Sequence, residues 1–141
     1  MFLILALVQA LTGSPDPVLA GALFCLGEQP LPETFVREAA DKQIWRLAGP
    51  QSILVSKVGP ACLVIRLPVG VAETATSGWI ESRPDFQLDK DLTATGTRTR
   101  DYVRKSGAGG MRLRLIEPLA GDYPAFSPPS GVTIWPDPPS P

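Results

Sequence analysis

The sequence predicts an α+β domain in which N-terminal helices pack on an antiparallel β-sheet and one disulfide joins the two layers. Three observations point there. Residues Val18–Leu26 form an apolar run with helix start and stop signals at its ends. Ser52–Val58 and Ala61–Leu67 are rich in Ile, Leu and Val and flank Gly59-Pro60, a turn signal. From Asp85 onward polar and apolar residues alternate, which is the period of a strand. Helices first and an antiparallel sheet after them is the α+β order.

The elements follow in chain order. Phe2–Leu11 reads FLILALVQAL and stops at Thr12-Gly13-Ser14-Pro15. Such a run is too short for a bilayer-spanning helix, which takes about 20 residues. It fits the apolar region of a signal peptide over residues 1–10. Val8-Gln9-Ala10 resembles a small-x-small cleavage site, although no Lys or Arg precedes the run. The competing reading is a buried N-terminal helix or strand. A lipid attached to Cys25 is not predicted, because Phe24 before it is not small.

In the first helix Asp16 can cap, Pro17 suits the first turn and Gly27 suits a left-handed exit. A second helix is predicted from Pro32 to Leu47, with Phe35, Val36, Ala39 and Ala40 as its apolar stripe. The runs at 52–58 and 61–67 form a hairpin. Val71–Glu81 reads as a short helix or an irregular crossover. Thr97–Lys105 and Met111–Glu117 form a second hairpin across the glycine-rich Ser106–Gly110. Met111, Leu113, Leu115 and Val103 are predicted to face the core. Val132–Trp135 reads as an edge strand. The compact domain spans 11–135, and Pro136–Pro141 reads as an extended tail.

The two cysteines, Cys25 and Cys62, both lie in apolar runs, without a CxxC partner or a neighbouring basic residue. In an exported chain an even cysteine count implies a disulfide. This one would tie the first helix to the second strand of the 52–67 hairpin. In a reducing compartment the same residues would be two buried thiols.

Composition narrows the chemistry. The chain has 141 residues, net charge −1 and 44% hydrophobic residues. That balance predicts neither nucleic-acid binding nor electrostatic adsorption to a membrane. There is no His, which removes Ser-His and Cys-His catalysis and His-containing metal sites. There is no Asn, so no N-glycosylation acceptor. No cofactor or metal site is predicted.

The strongest candidate site is a basic face. Arg98, Arg100, Tyr102 and Arg104 share one parity, and Arg112 and Arg114 are predicted across the hairpin on the same side. Residues 96–116 carry six basic residues against one acid, Asp101. A ring among arginines can take an anionic ligand or an acidic protein surface. The plainer reading is a solvated face paired with Asp89 and Asp91.

Weaker candidates fall away. Asp89-Lys90-Asp91-Leu92-Thr93 spells D-x-D-x-T, the motif of aspartate-nucleophile phosphatases, but the apolar strand that the motif needs before it is missing. The glycine-rich loop leads into alternating residues, not a helix, so it is not a phosphate cradle. Asp89 with Glu73 or Glu81 is a conceivable carboxylate pair that no spacing singles out. Trp45, Trp79 and Trp135 could line a carbohydrate groove, with core packing as the default.

Phe24-Cys25-Leu26, the Ala39-Ala40 segment with Trp45, and Gly59-Pro60-Ala61-Cys62 entering a strand resemble a family of small exported proteins and lipoproteins of proteobacteria. Tyr102 and the Leu113–Leu115 strand extend the likeness. The resemblance implies paired cysteines and an extracytoplasmic home, periplasmic or secreted, and brings no catalytic residues with it.

The reading is therefore a non-enzymatic exported domain that binds an anionic envelope component or a protein partner. A small carboxylate-dependent hydrolase using Tyr102, and an intracellular accessory protein with free thiols, are the alternatives.

Overall fold

The computed structural model describes residues 16–47, 49, 52–67, 71–94, 96–106, 109–119 and 129–137. The signal-peptide segment 1–10 lies outside them, as do 138–141 of the proposed tail. The architecture is mostly β, which corrects the α+β expectation: among the described residues there are eight antiparallel strands and two short helices.

Helix α1 (Pro17–Cys25) starts and stops where its sequence signals lie. Asp16 Oδ2 accepts from the backbone N–H groups of Val18 and Leu19, each at 3.1 Å, and Gly27 leaves with φ 75°. The helix is apolar all round because it is clamped to the sheet. Gly21 faces it: a Cβ there would stand 2.8 and 2.9 Å from the two Val64 methyls and 3.1 Å from a Val55 methyl. Only glycine lets the helix axis come this close.

The predicted helix over 32–47 is instead a hairpin, β1 (Phe35–Arg37) and β2 (Ile44–Leu47). The 3.6-residue stripe was shared with two clusters of strand formers, Thr34-Phe35-Val36 and Ile44-Trp45. The edge of β3 (Ser52–Val58) settles the competition by offering β2 a hydrogen-bonding partner, with Trp45 opposite Val55. Trp45 then meets Phe24 of α1 edge-on, at 5.1 Å between ring centroids.

Strands β3 and β4 (Ala61–Leu67) form the expected hairpin, turning at Gly59 with φ 57°. Helix α2 (Thr74–Glu81) occupies the ambiguous segment. Then come β5 (Phe86–Ala94), β6 (Thr97–Ser106), β7 (Gly109–Pro118) and β8 (Ser130–Asp137). The sheet order is β1-β2-β3-β4-β8-β7-β6-β5. So β8 is not an edge strand: it joins the two halves, pairing with β4 and β7. It also takes in Pro136 and Asp137, the first two residues of the expected tail.

Both helices lie on one face of the sheet, here called the inner face. Its rows include Val55, Val64, Val132 and Leu115, and then Cys62, Ile134, Leu113 and Tyr102, all buried. Among the described residues no helix packs on the opposite, outer face. Cys25 and Cys62 are joined as a disulfide, Cα to Cα 5.7 Å, so the end of α1 is tied to β4 as expected. No helix among the described residues is long and apolar enough to cross a membrane.

Candidate functional site

The predicted basic face is split by one register. Ser106 pairs with Gly109, so even-numbered residues of β6 lie opposite odd-numbered residues of β7. Arg98, Arg100, Tyr102 and Arg104 therefore share the inner face with Met111, Leu113, Leu115 and Glu117. Arg112 and Arg114 stand on the outer face, opposite Val103 and Asp101. Val103 is buried there, not beside Leu113 as expected.

A second irregularity divides the preceding strand. A bulge between Leu88 and Lys90 shifts the register of β5. Phe86 and Leu88 lie opposite Arg104 and Tyr102 on the inner face. Lys90 and Leu92 lie opposite Asp101 and Thr99 on the outer one. The apolar row Phe86, Leu88, Leu92 is thus broken between two faces.

Each predicted arginine already has an acid in its own chain. Arg98 makes a two-pronged pair with Asp91, at 3.1 and 2.8 Å. Arg100 bonds Glu117, Glu81 and Ser77. Arg104 lies over the Phe86 ring, 3.4 Å from Glu28 and 3.0 Å from Met111 Sδ. Arg112 bonds Asp89 at 2.8 Å. Arg114 grips both oxygens of Asp101 at 2.8 and 2.9 Å and lies over Trp135. The hydrogen bond from Arg114 holds the Asp101 carboxyl below its ordinary range.

Beneath α2 lies a polar cluster that the sequence reading missed. Arg66 donates to both oxygens of Glu73, at 2.8 and 3.0 Å, and reaches Asp16 at 3.3 Å. The Ser130 hydroxyl donates to Glu73. The Glu73 backbone N–H donates to Glu117 at 2.8 Å, and Glu117 accepts from Arg100. Two buried guanidinium groups thus meet two buried carboxylates. The signal was in the alternation: Arg66 continues the buried row Cys62, Val64, and Glu117 continues Leu113, Leu115. A charge at a core-facing strand position needs a buried partner.

Among the described residues three buried side-chain polar atoms make no hydrogen bond: Thr76 Oγ1, Arg100 Nε and Tyr102 Oη. Burial pushes the Tyr102 phenol up, so the group stays neutral. The carboxylate pairs considered from sequence do not form. Glu73 is buried on Arg66, Glu81 reaches Arg100 from the rim, and Asp89 is on the outer face with Arg112. The aspartates of the D-x-D-x-T stretch are bound to Arg112 and Arg98 on a bulged strand. The tryptophans are dispersed: Trp45 against Phe24, Trp79 beside Phe86, and Trp135 under Arg114. Among the described residues no group of His, Cys, Asp and Glu is arranged to hold a metal ion.

Among the described residues nothing pairs with the free side of β5 at the sheet edge. Eight of its nine residues are exposed, and Leu88 and Leu92 are 53% and 62% exposed. Beside it on the outer face runs a groove of about 300 Å³ between β5 and β6, with Asp101 and Arg114 in its lining. No family model, curated protein or solved structure matches the chain.

Proposed function

We propose that the protein is a non-enzymatic extracytoplasmic domain that binds a protein partner. One observation carries the choice of partner: every arginine of the predicted anion site is already paired with, or lies within 3.4 Å of, a carboxylate of the chain. A small anion would have to displace those partners. Among the described residues the backbone groups along the β5 edge and the exposed leucines beside them have no such competitor, and they suit a protein.

The disulfide supports an oxidising location, and its formation leaves no thiol for the free-thiol alternative. The closed pairing of Glu73 and Glu117 with arginines disfavours the hydrolase, since each carboxylate already accepts hydrogen bonds from a guanidinium of the chain.

Two measurements test the reading together. Protein purified from its native cell should sit in the extracytoplasmic fraction and lack both thiol hydrogens by non-reducing mass spectrometry. Titration with inorganic phosphate and with heparin should show no saturable binding at physiological salt. Cytosolic protein with two free thiols, or saturable anion binding lost in Arg100→Glu, would overturn it.

A further inference from the structure

The open edge has more structure than exposure alone. Among the described residues β5 pairs only with β6, so one row of its backbone N–H and C=O groups points away from the sheet. The other edge strand, β1, is only three residues long. Length is what strand addition requires, because main-chain hydrogen bonds give the affinity. Past the bulge, Lys90–Ala94 keeps an unbroken register with Asp101–Thr97.

The side chains of that stretch are selective. On the outer face, Lys90, Leu92 and Ala94 line the groove with Thr97 and Thr99. Arg114 and Asp101 neutralise one another in it. Asp89 is taken by Arg112 and Asp91 by Arg98. Lys90 lies opposite Asp101, which Arg114 also grips, so the groove's lining keeps one positive charge in excess, next to the exposed Leu92.

We propose that the Lys90–Ala94 edge receives an extended strand of a partner protein, one that places an acidic side chain opposite Lys90 and an apolar one opposite Leu92. This rests on the protein-binding reading above. Charge complementarity selects a foreign strand over a second copy. Self-pairing along the whole of β5 would set Lys90 against Lys90 and Asp89 against Asp91. The register centred on Leu92 avoids this, but it leaves Lys90 opposite Ala94, with no acid to meet its charge. Lysine on an open edge normally repels casual pairing. Here it also acts as a filter, since opposite charges across strands attract and like charges repel.

The probe is the peptide acetyl-Thr-Val-Thr-Glu-Thr-Val-Thr-amide, compared with its counterpart carrying Lys for Glu. Both are titrated against the full oxidised chain. The Glu peptide should bind at least about fivefold more tightly. It should slow amide hydrogen exchange within residues 90–94. Lys90→Glu, an exposed change that leaves the core alone, should reverse the preference. Equal binding of both peptides, no saturable binding, protection elsewhere, or a dimer dissolved by Leu92→Asp would overturn the proposal.

A photo-crosslinking residue at position 92 or 63, in the native cell, separates the two levels. A protein adduct at 92 that disappears with Lys90→Glu agrees with strand addition. Adducts only at 63, on the outer face of β4, overturn it and leave the protein-binding reading standing. Adducts at neither position overturn both.

Discussion

Arg66 and Glu73 face each other through two parallel N–H···O bonds of 2.8 and 3.0 Å, both side chains almost wholly out of water. The pair joins β4 to the residue that caps α2, and Ser130 of β8 closes on the same carboxylate. The hydrogen bond to Glu73 raises the Arg66 pKa further above its already high ordinary value. Desolvating two charges consumes most of their mutual attraction, so the pair adds little net stability while intact. Removing Arg66 leaves the buried Glu73 carboxylate without its guanidinium, and removing Glu73 takes two bonds from the buried Arg66 while Asp16 stays at 3.3 Å. Arg66→Met or Glu73→Leu should each cost roughly 3–5 kcal/mol by urea denaturation. The double variant should recover much of that loss. Additive losses would show that the two groups do not act as a pair.

Gly21 predicts a steric test. A Cβ at this position meets both Val64 methyls inside 3.0 Å and Val55 at 3.1 Å. Those neighbours are short, branched and themselves fully buried, so they have little room to turn. Gly21→Ala should destabilise the fold by roughly 1–3 kcal/mol, despite alanine's better helix propensity. Val64→Ala in the same chain should relieve part of that cost, giving a non-additive cycle in thermal or denaturant unfolding. A stabilised Gly21→Ala variant would mean that α1 sits farther from the sheet.

These two cases show what was legible in the sequence. Local chemistry was: Asp16, Pro17 and Gly27 mark α1, Gly59 marks the β3–β4 turn, and strong alternation marks β6 and β7. The Cys25–Cys62 pair was expected from the even cysteine count of an exported chain, and their apolar surroundings alone suited two buried thiols as well. Long-range choices were not legible. The 32–47 stripe satisfies a helix and a hairpin alike until β3 is beside it. Sidedness failed for a different reason. Placing Arg112 and Arg114 with Arg100 needed the β6–β7 register, and a one-residue change in register exchanges the faces. The bulge before Lys90 has no local signature, yet it moves Leu92 to the outer face and creates the proposed edge site. Arg66 and Glu117 were visible as charges at core parity, but their partners lie 7 and 17 residues away along the chain, and the fold alone unites them.

The disulfide makes a third prediction. Its sequence separation is 37. Holding that loop closed in the unfolded chain should stabilise the fold by about 4 kcal/mol on the chain-entropy account. Cys25→Ala with Cys62→Ala should lower the urea midpoint accordingly, and reduction of the parent protein should reproduce the shift. The α1–β4 contact remains through Gly21 and Val64, so the variant should keep native amide exchange in the sheet while α1 exchanges faster. Equal stability of oxidised and reduced protein would remove the staple's structural role.

The last prediction concerns acid stability and turns on Asp101. Its side chain is 3% exposed and bound at both oxygens by Arg114, with Arg112 at 3.9 Å. The hydrogen bond from Arg114 lowers its folded-state pKa below the ordinary 3.8. The unfolded chain therefore takes up the Asp101 proton first as pH falls. The stabilisation is fully present above the unfolded value of about 3.9 and is lost as pH drops through the lower, folded value. Asp91 is lowered in the same direction by Arg98, but that pair is exposed and screened by salt. The two contributions should separate in an acid titration of unfolding at low and high salt. Asp91→Asn should flatten the acid limb only at low salt, whereas Asp101→Asn should flatten it at both. Asp101→Asn should also weaken the fold at neutral pH, because it removes the charge of a buried carboxylate that a half-exposed guanidinium grips at both oxygens. A salt-dependent Asp101 limb would place that carboxylate in solvent, where it would no longer offset one of the two cations, Lys90 and Arg114, that line the proposed groove.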